Sequence, residues 1–357
     1  MGASATTAIM SLSEFELIDR YFNSVFSQGL SPGISLGIGD DAAVISPRAG
    51  QQGCICTDVL VADVHFPAAA DPSDIAQRAL RVNLSDLAAM GATPVCFTLG
   101  LTLPAADEEW LSHFAAGLLA AASRFDCPLV GGDTTRGPLN IAITVYGEVP
   151  AGEALRRSGA REGDSIFVTG NLGKGRIALE ALGLGKTGEN IDGIEAIKCF
   201  KDIKISDMAP IHKDFLYRCF YQPEPRLTFA AAARQYINSA IDLSDGLYAD
   251  LGHLARASGQ AMHVDAGALP FAEAVVALTD SAQRQSAALF GGDDYEICFT
   301  AAVDSAPALE VIAAESEVVI TCIGEVAAGT GVTVLDDGNI VSTEGNHGFD
   351  HFRGAEK

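Results

Sequence analysis

The chain has 357 residues, 48% of them apolar, which is too long for one usual core and apolar enough to fill two, so disorder is not the default and two domains are expected. Against 46 Asp and Glu stand 23 Lys and Arg, and the formal charge of −23 argues against nucleic-acid or anionic-membrane binding, both of which need basic surface. An anionic substrate must then arrive with cations.

Residues 13–26 (SEFELIDRYFNSVF) predict a helix, with Phe15, Ile18, Phe22 and Val25 at helical spacing behind a Ser13…Glu16 capping box, after a loose ten-residue tail. GCICTDVLVADVHF (53–66) predicts a strand, 71–91 a helix closed by Gly91, 95–103 a strand and 107–125 a long amphipathic helix. Strands follow at 127–130 and 140–149. The first domain is expected to span 1–150, because 150–164 carries turn and charge signals. The second, 151–357, restarts with a strand at 165–170 and a Gly-rich turn into a helix over 170–182. Then come SAIDLSDG, a helix at 247–258, strands at 295–300 and 318–326, and a hairpin in VTVLDDGNIV turned by Asp337-Gly338. Both halves read as α/β. Residues 183–225, with scattered lysines and Pro223-Glu224-Pro225, give only helical pieces and loops.

The eight cysteines (Cys54, Cys56, Cys96, Cys127, Cys199, Cys219, Cys298, Cys322) form no CxxC pair and sit mostly in apolar runs, which reads as reduced thiols in a cytosolic protein. No run approaches the ~20 apolar residues of a membrane span, and MGASATTAIM lacks the features of a secretory signal. A cytoplasmic protein without a membrane or nucleic-acid partner is expected.

Six acidic signatures close apolar runs: GIGDD (37–41), CTD (56–58), NLSD (83–86), GGD (131–133), IDLSDG (241–246) and GGDDYE (291–296). Carboxylates presented together at the ends of buried elements repel, by roughly 3 kcal/mol per pair at ~5 Å and an effective dielectric near 20. Such a cluster calls for cations. Oxygen donors without paired His or Cys favour Mg²⁺ or Mn²⁺ bridging to phosphate over zinc or a redox metal. The candidates are Asp41, Asp58, Asp86, Asp133, Asp242 and Asp245, with Asp86 lying inside a helix. Helix capping is the competing structural reading; it is adopted for Asp71 and Asp74, but one cap explains only one aspartate.

Two nucleotide motifs fail on their chemistry. Gly185-Lys186-Thr187 resembles the end of a P-loop, but Glu180 stands where the leading glycine belongs. Gly37, Gly39 and Ala42 fit a dinucleotide fingerprint with Asp58 downstream, yet Asp40 and Asp41 put negative charge where a pyrophosphate needs bare N–H groups. Arg156-Arg157 and Lys174 are candidates to meet a phosphate, an exposed linker arginine being the ordinary alternative. His65 is placed at a strand end near Asp58 and Asp63, where a structural role is the commoner one. No HExxH and no Ser-His-Asp order stands out, so no nucleophile is assigned.

As an ordered set, SEFELIDRYF, LGIGDDAAV, TDVLVADVHF, RALRVNLSDLAAMGATP, LVGGDTTRGPL, LRRSGAREGD, AIDLSDGLYADLGH, GGDDYEICFT and GFDHF resemble the thiamine-monophosphate kinase family. That family shares a superfamily with aminoimidazole ribonucleotide synthetase and selenophosphate synthetase. The resemblance covers nearly the whole chain, and NLSDLAAMGA with GGDTTRGP carries most of its specificity. It implies a two-domain α/β (α+β) fold like that of aminoimidazole ribonucleotide synthetase, with N-terminal sheets paired across a homodimer. It also implies transfer of the γ-phosphoryl group of ATP to thiamine monophosphate, giving thiamine diphosphate, with several Mg²⁺ ions and K⁺.

Metal ligands implied by the resemblance fall on Asp41, Cys56, Thr57, Asp58, Asp86, Asp133, Asp242 and Asp245. Cys56 stands where relatives carry serine. ATP contacts fall on Gly132, Asp133, Arg157 and Ser244, and thiamine monophosphate contacts on His65, Asp293 and Phe349. Asp293 replaces a common glutamate, and at Phe349 a tyrosine or tryptophan is also found; both suit a cationic thiazolium. An acceptor that is already an oxyanion needs positioning and charge neutralisation rather than a general base. A superfamily relative acting on another acceptor, a nucleotide or metal sensor without turnover, and a phosphohydrolase are the alternatives.

Overall fold

The computed structural model describes residues 14–26, 33–182 and 208–341; Ser13, Gly185-Lys186-Thr187 and Phe349 lie outside them. The first helix is interrupted, with α1 (Glu14–Ile18) and α2 (Ser24–Phe26) flanking a π-helical turn at Asp19–Asn23. Through this wider turn the buried face is Leu17, Tyr21, Phe22 and Phe26, where a uniform helix would select Ile18, Phe22 and Val25.

β1 (Ile34–Leu36) and β2 (Val44–Ile45) pair as a small hairpin. β3 (Gln51–Val61) then leads through α3 (Pro72–Ala89) to β4 (Thr93–Leu103), and α4 (Glu108–Arg124) leads on to β5 (Leu129–Arg136) and β6 (Asn140–Pro150). Asp71 caps α3 by accepting the Ser73 N–H at 2.8 Å, and Asp107 caps α4 through the Glu109 and Trp110 N–H groups. Asp74 does not cap; it accepts the Tyr217 hydroxyl. The four strands run β3-β6-β4-β5, antiparallel except β4 with β5, whose parallel pairing follows from the α4 crossover. Phe97, Leu99, Leu101, Ile141, Ile143 and Val145 project from one face into a core shared with α3 and α4.

Alternation along β3 turns Cys54, Cys56, Asp58 and Leu60 toward α3, and Ile55, Thr57 and Val59 to the opposite side. Ile55 is 70% exposed. β3 pairs only with β6, which leaves its other edge unpaired among the described residues.

The second half supplies β7 (Asp164–Thr169), α5 (Lys174–Ala181), α6 (Pro210–Tyr221), α7 (Leu227–Ala233), β8 (Ser239–Asp242), α8 (Leu247–Ser258) and β9 (Ala261–Asp265). It continues through α9 (Glu273–Leu278), α10 (Ser281–Phe290), β10 (Ile297–Ala302), α11 (Ala306–Glu315), β11 (Ile320–Ala327), β12 (Gly331–Asp336) and β13 (Asn339–Ile340). Its sheet runs β13-β12-β9-β11-β7-β10-β8, and β8 is an edge strand. Ile166, Val168 and Ile241 pack under Leu247, Leu251 and Leu254 of α8, while Phe167 and Phe299 meet Phe229 of α7 and Leu309 of α11, so helices cover both faces. α3 lies between the two sheets, touching β3 and β6 on one side and α7 and β8 on the other. Among the described residues no helix is long and apolar enough to cross a membrane.

Candidate active site

Three residues of α3 organise the site. Asn83 donates through Nδ2 to the Ala79 carbonyl at 2.9 Å, which fixes its side chain, and its Oδ1 accepts the Asp58 N–H at 3.0 Å. The Cys56 thiol donates to the Asn83 carbonyl at 3.6 Å. Ser85 Oγ donates to Asp242 Oδ2 at 2.9 Å, tying the end of β8 to the same helix. Asp86 follows on the next position. Cys56 and Asp58 from β3, Asp86 from α3 and Asp242 from β8 thus converge where the two halves meet.

Their charges interact. Burial raises the Asp58 carboxyl above the usual carboxylate range. Burial, then Asp242 and Asp58, push Asp86 up to about 7. Asp242 rises to about 6 through burial, opposed by the Ser85 hydrogen bond and by Arg157. The Cys56 thiol is pushed far up by burial and by Asp86, so it stays protonated. A cavity of about 480 Å³ opens beside this group, and Cys56, Asp86, Asp242, Arg156 and Arg157 are among the residues that line it. Carboxylates that retain protons near neutrality for want of countercharge fit a hard divalent cation. Among the described residues no three His, Cys, Asp or Glu groups form a ready-made metal cage, so such an ion would draw further ligands from phosphate or water.

The other motif residues lie elsewhere. Thr57 points to the opposite face of the sheet, with its hydroxyl 2.8 Å from that of Thr144. Asp133 lies within β5, not at its end, and its register through Gly100 and Ala142 to Val59 puts it on the Thr57 face, three strands from β3, roughly 14 Å at the usual strand spacing. Gly132 is there for space: a Cβ would stand 2.0 Å from the Leu99 carbonyl. Asp41 is exposed in the loop between β1 and β2. No hydrogen bond or ion pair among the described residues joins Asp41 or Asp133 to Asp58, Asp86 and Asp242.

IDLSDG and GGDDYE, far apart in sequence, are zipped together. The Asp293 N–H donates to the Ser244 carbonyl at 2.9 Å, and the Tyr295 N–H to the Leu243 carbonyl at 2.8 Å. A Cβ on Gly292 would lie 2.2 Å from the Ser244 carbonyl, which is why a glycine stands there. Asp250 of α8 accepts the Asp245 N–H at 3.1 Å and so holds the LSDG loop.

At the other end of the site, His65 lies in a turn beyond β3, not on the strand; Asp63, at φ 61, opens that turn. The His65 Nδ1 accepts the Val61 N–H at 3.0 Å. Arg78, which the sequence did not mark, donates to the His65 carbonyl and to Asp293. Lys174 takes a structural place: it is buried against Glu296, a carboxylate that also takes two Arg226 bonds at 2.6 Å, so its ammonium is committed to bracing α5 against the start of α7.

The chain is 42% identical over 344 residues to the thiamine-monophosphate kinase of Salmonella typhimurium, covering 96% of this chain and 99% of that protein. It belongs to the thiamine-monophosphate kinase family. The Escherichia coli family member is 43% identical with the same coverage. Residues 39–149 match the family model for AIR synthase related protein, N-terminal domain. Among solved structures, thiamine-monophosphate kinase from Stenotrophomonas maltophilia superposes with a TM-score of 0.79 at 42% identity, over 93% of this chain and 99% of that one. A structure described as AaThiL complexed with AMPPCP and TMP gives 0.69 at 28% identity, over 98% and 100%. As a thiamine-monophosphate kinase the chain is a phosphotransferase, and the aminoimidazole ribonucleotide synthetase-like α/β fold expected from the sequence is the one found.

Proposed function

We propose that the chain transfers the γ-phosphoryl group of ATP directly to the phosphate of thiamine monophosphate, in line, in the cleft between an N-terminal unit (1–150) and a C-terminal unit (151–357). The observation that carries this reading is the meeting of Asp58, Asp86 and Asp242, all protonated more readily than usual, beside Arg157 and an open cavity. Asp58, Asp86 and Asp242 would hold Mg²⁺, with Asp245 and the Cys56 carbonyl as further ligands and K⁺ as a monovalent companion; Asp41, Thr57 and Asp133, which lie apart from this group within one chain, would join it only from a second copy. Held by these residues, divalent cations would supply the charge neutralisation that the β and γ phosphates need.

Arg157 faces the same cavity and offers a planar fork for phosphate oxygens. Ser244, Gly132 and Asp133 are assigned to ATP. His65, Asp293 and Phe349 are assigned to the acceptor. Because the His65 Nδ1 lone pair is taken by the Val61 N–H, the neutral ring carries its proton on Nε2 and presents a donor, which suits positioning a phosphate and not removing a proton. The acceptor phosphate, with a second pKa of about 6, is ionised at neutral pH and needs no base.

The β3 edge, unpaired among the described residues and with Ile55 and Val59 exposed beside it, fits pairing with a second copy, and a homodimer would bring a second Thr57 and Asp133 face to the assembly. Free thiols at all seven described cysteines fit a cytoplasmic location. Incubation with MgATP and thiamine monophosphate tests the reaction. ADP and thiamine diphosphate should appear in equal amounts and stop with a chelator; inorganic phosphate as the product, or ADP release indifferent to the acceptor, would point to a hydrolase.

A further inference from the structure

The guanidinium of Arg78 is buried, 3% exposed, and each of its nitrogens has a partner on a different segment. Nε donates to the His65 carbonyl at 3.3 Å, Nη1 to the Phe220 carbonyl at 2.8 Å and Nη2 to Asp293 Oδ1 at 2.7 Å. Its plane lies over the Phe220 ring, 4.1 Å from the centroid, and near Tyr295 at 5.7 Å. The Tyr295 hydroxyl donates to the same Asp293 Oδ1 at 3.0 Å. Asp293 Oδ2 takes no hydrogen bond among the described residues, and the side chain is 18% exposed. The Asp293 backbone is left-handed, at φ 69, a conformation that costs a non-glycine residue and persists where surroundings enforce it.

We infer that Arg78 is a positioning residue for the acceptor, acting through Asp293 and the His65 turn. It joins the turn after β3, the end of α6 and the GGDD loop into one rigid corner. Only a planar fork with several donors reaches all three partners; an ammonium on a flexible stem makes a single strong contact. The ion pair also changes what Asp293 offers. With Oδ1 engaged by Arg78 and Tyr295, the local charge is cancelled and Oδ2 remains as a directional acceptor of a hydrogen bond. Asp293 then recognises the acceptor by a fixed N–H contact more than by attraction of a positive ring.

This inference rests on the assignment of Asp293 to the acceptor, so that assignment is tested beside it. Initial rates are measured for wild type, Arg78→Lys, Arg78→Met, Asp293→Asn and the double variant Arg78→Met with Asp293→Asn, varying thiamine monophosphate and ATP separately, with Tm recorded for each. Arg78→Met is expected to raise the KM for thiamine monophosphate about tenfold and to move the KM for ATP less than about threefold, a split that general loosening of the fold does not produce. Arg78→Lys should recover part of the loss. The double variant should be little worse than Asp293→Asn, because the two residues act as one. Additive losses, equal changes in both KM values, or an unchanged acceptor KM in Arg78→Lys and Arg78→Met would overturn the inference. If Arg78→Met does not fold, Arg78→Lys and Tyr295→Phe decide by the same split in KM. An unchanged acceptor KM in Asp293→Asn would overturn the underlying assignment instead.

Discussion

Asp86 and Asp242 carry the clearest electrostatic consequence of the site. Burial raises their carboxyl pKa values to about 7 and about 6, above the ordinary 3.8 of an exposed aspartate. The folded metal-free protein therefore holds protons that the unfolded chain has released, so this contribution to stability is complete below about pH 4 and is lost as pH rises through 6 to 7. In chelator, Tm should fall between pH 5 and 8, and Asp86→Asn should flatten that fall because it removes a buried charge. The same variant should lose roughly a hundredfold in turnover at saturating Mg²⁺. A pH slope identical to wild type, together with near-normal activity, would remove Asp86 from the charged group. These aspartates were legible in the sequence because each interrupts an apolar run. Arg78 and Arg81 were not, since basic residues on an amphipathic helix read as a solvated face. They are buried by α6 and by Pro223-Glu224, covering segments from the stretch of sequence that carried least signal. The pairing of Lys174 was hidden for a related reason: the carboxylate that claims it, Glu296, is remote in sequence.

The element on which the site depends is α3, and its position is set partly by one glycine of its neighbour. Gly117 of α4 packs on the first turn of α3, where an added Cβ would stand 2.3 Å from the Ser73 carbonyl. Gly117→Ala should cost about 1–3 kcal/mol by overpacking, seen as a lower urea midpoint at unchanged slope. Turnover should fall too, because Asn83, Ser85 and Asp86 move with the helix. Wild-type stability would contradict this close approach. Helices α3, α4 and α8 were readable to within a few residues, since their periodicity and caps agree with their packing. Strand ends were harder. The run 53–66 reads as one strand because it is apolar almost to its end, yet β3 stops at Val61, just before the left-handed Asp63 turns the chain. β5 was expected to end before Gly131-Gly132, but its ladder with β4 carries it through both glycines to Arg136.

At the scale of the molecule, the −23 charge and the β3 edge left open among the described residues bear on each other. An acidic surface repels a second copy in general, so the proposed pairing requires a local apolar contact, for which the exposed Ile55 and Val59 are the candidates. If the chain pairs through this edge, wild type should run as a dimer in light scattering, and Ile55→Glu, which puts a charge in that contact, should shift it to monomer and reduce turnover by about tenfold or more. A dimer of wild-type activity would show that the edge is not the interface. The surface charge itself should slow capture of free nucleotide and favour its magnesium complex, an effect that weakens as salt is added. The exposed edge has a kinetic consequence as well. If each competent site draws on two copies of β3, the rate per mole of chain is not a constant. It declines on dilution, and initial velocity plotted against enzyme concentration should curve upward from the origin before it becomes linear.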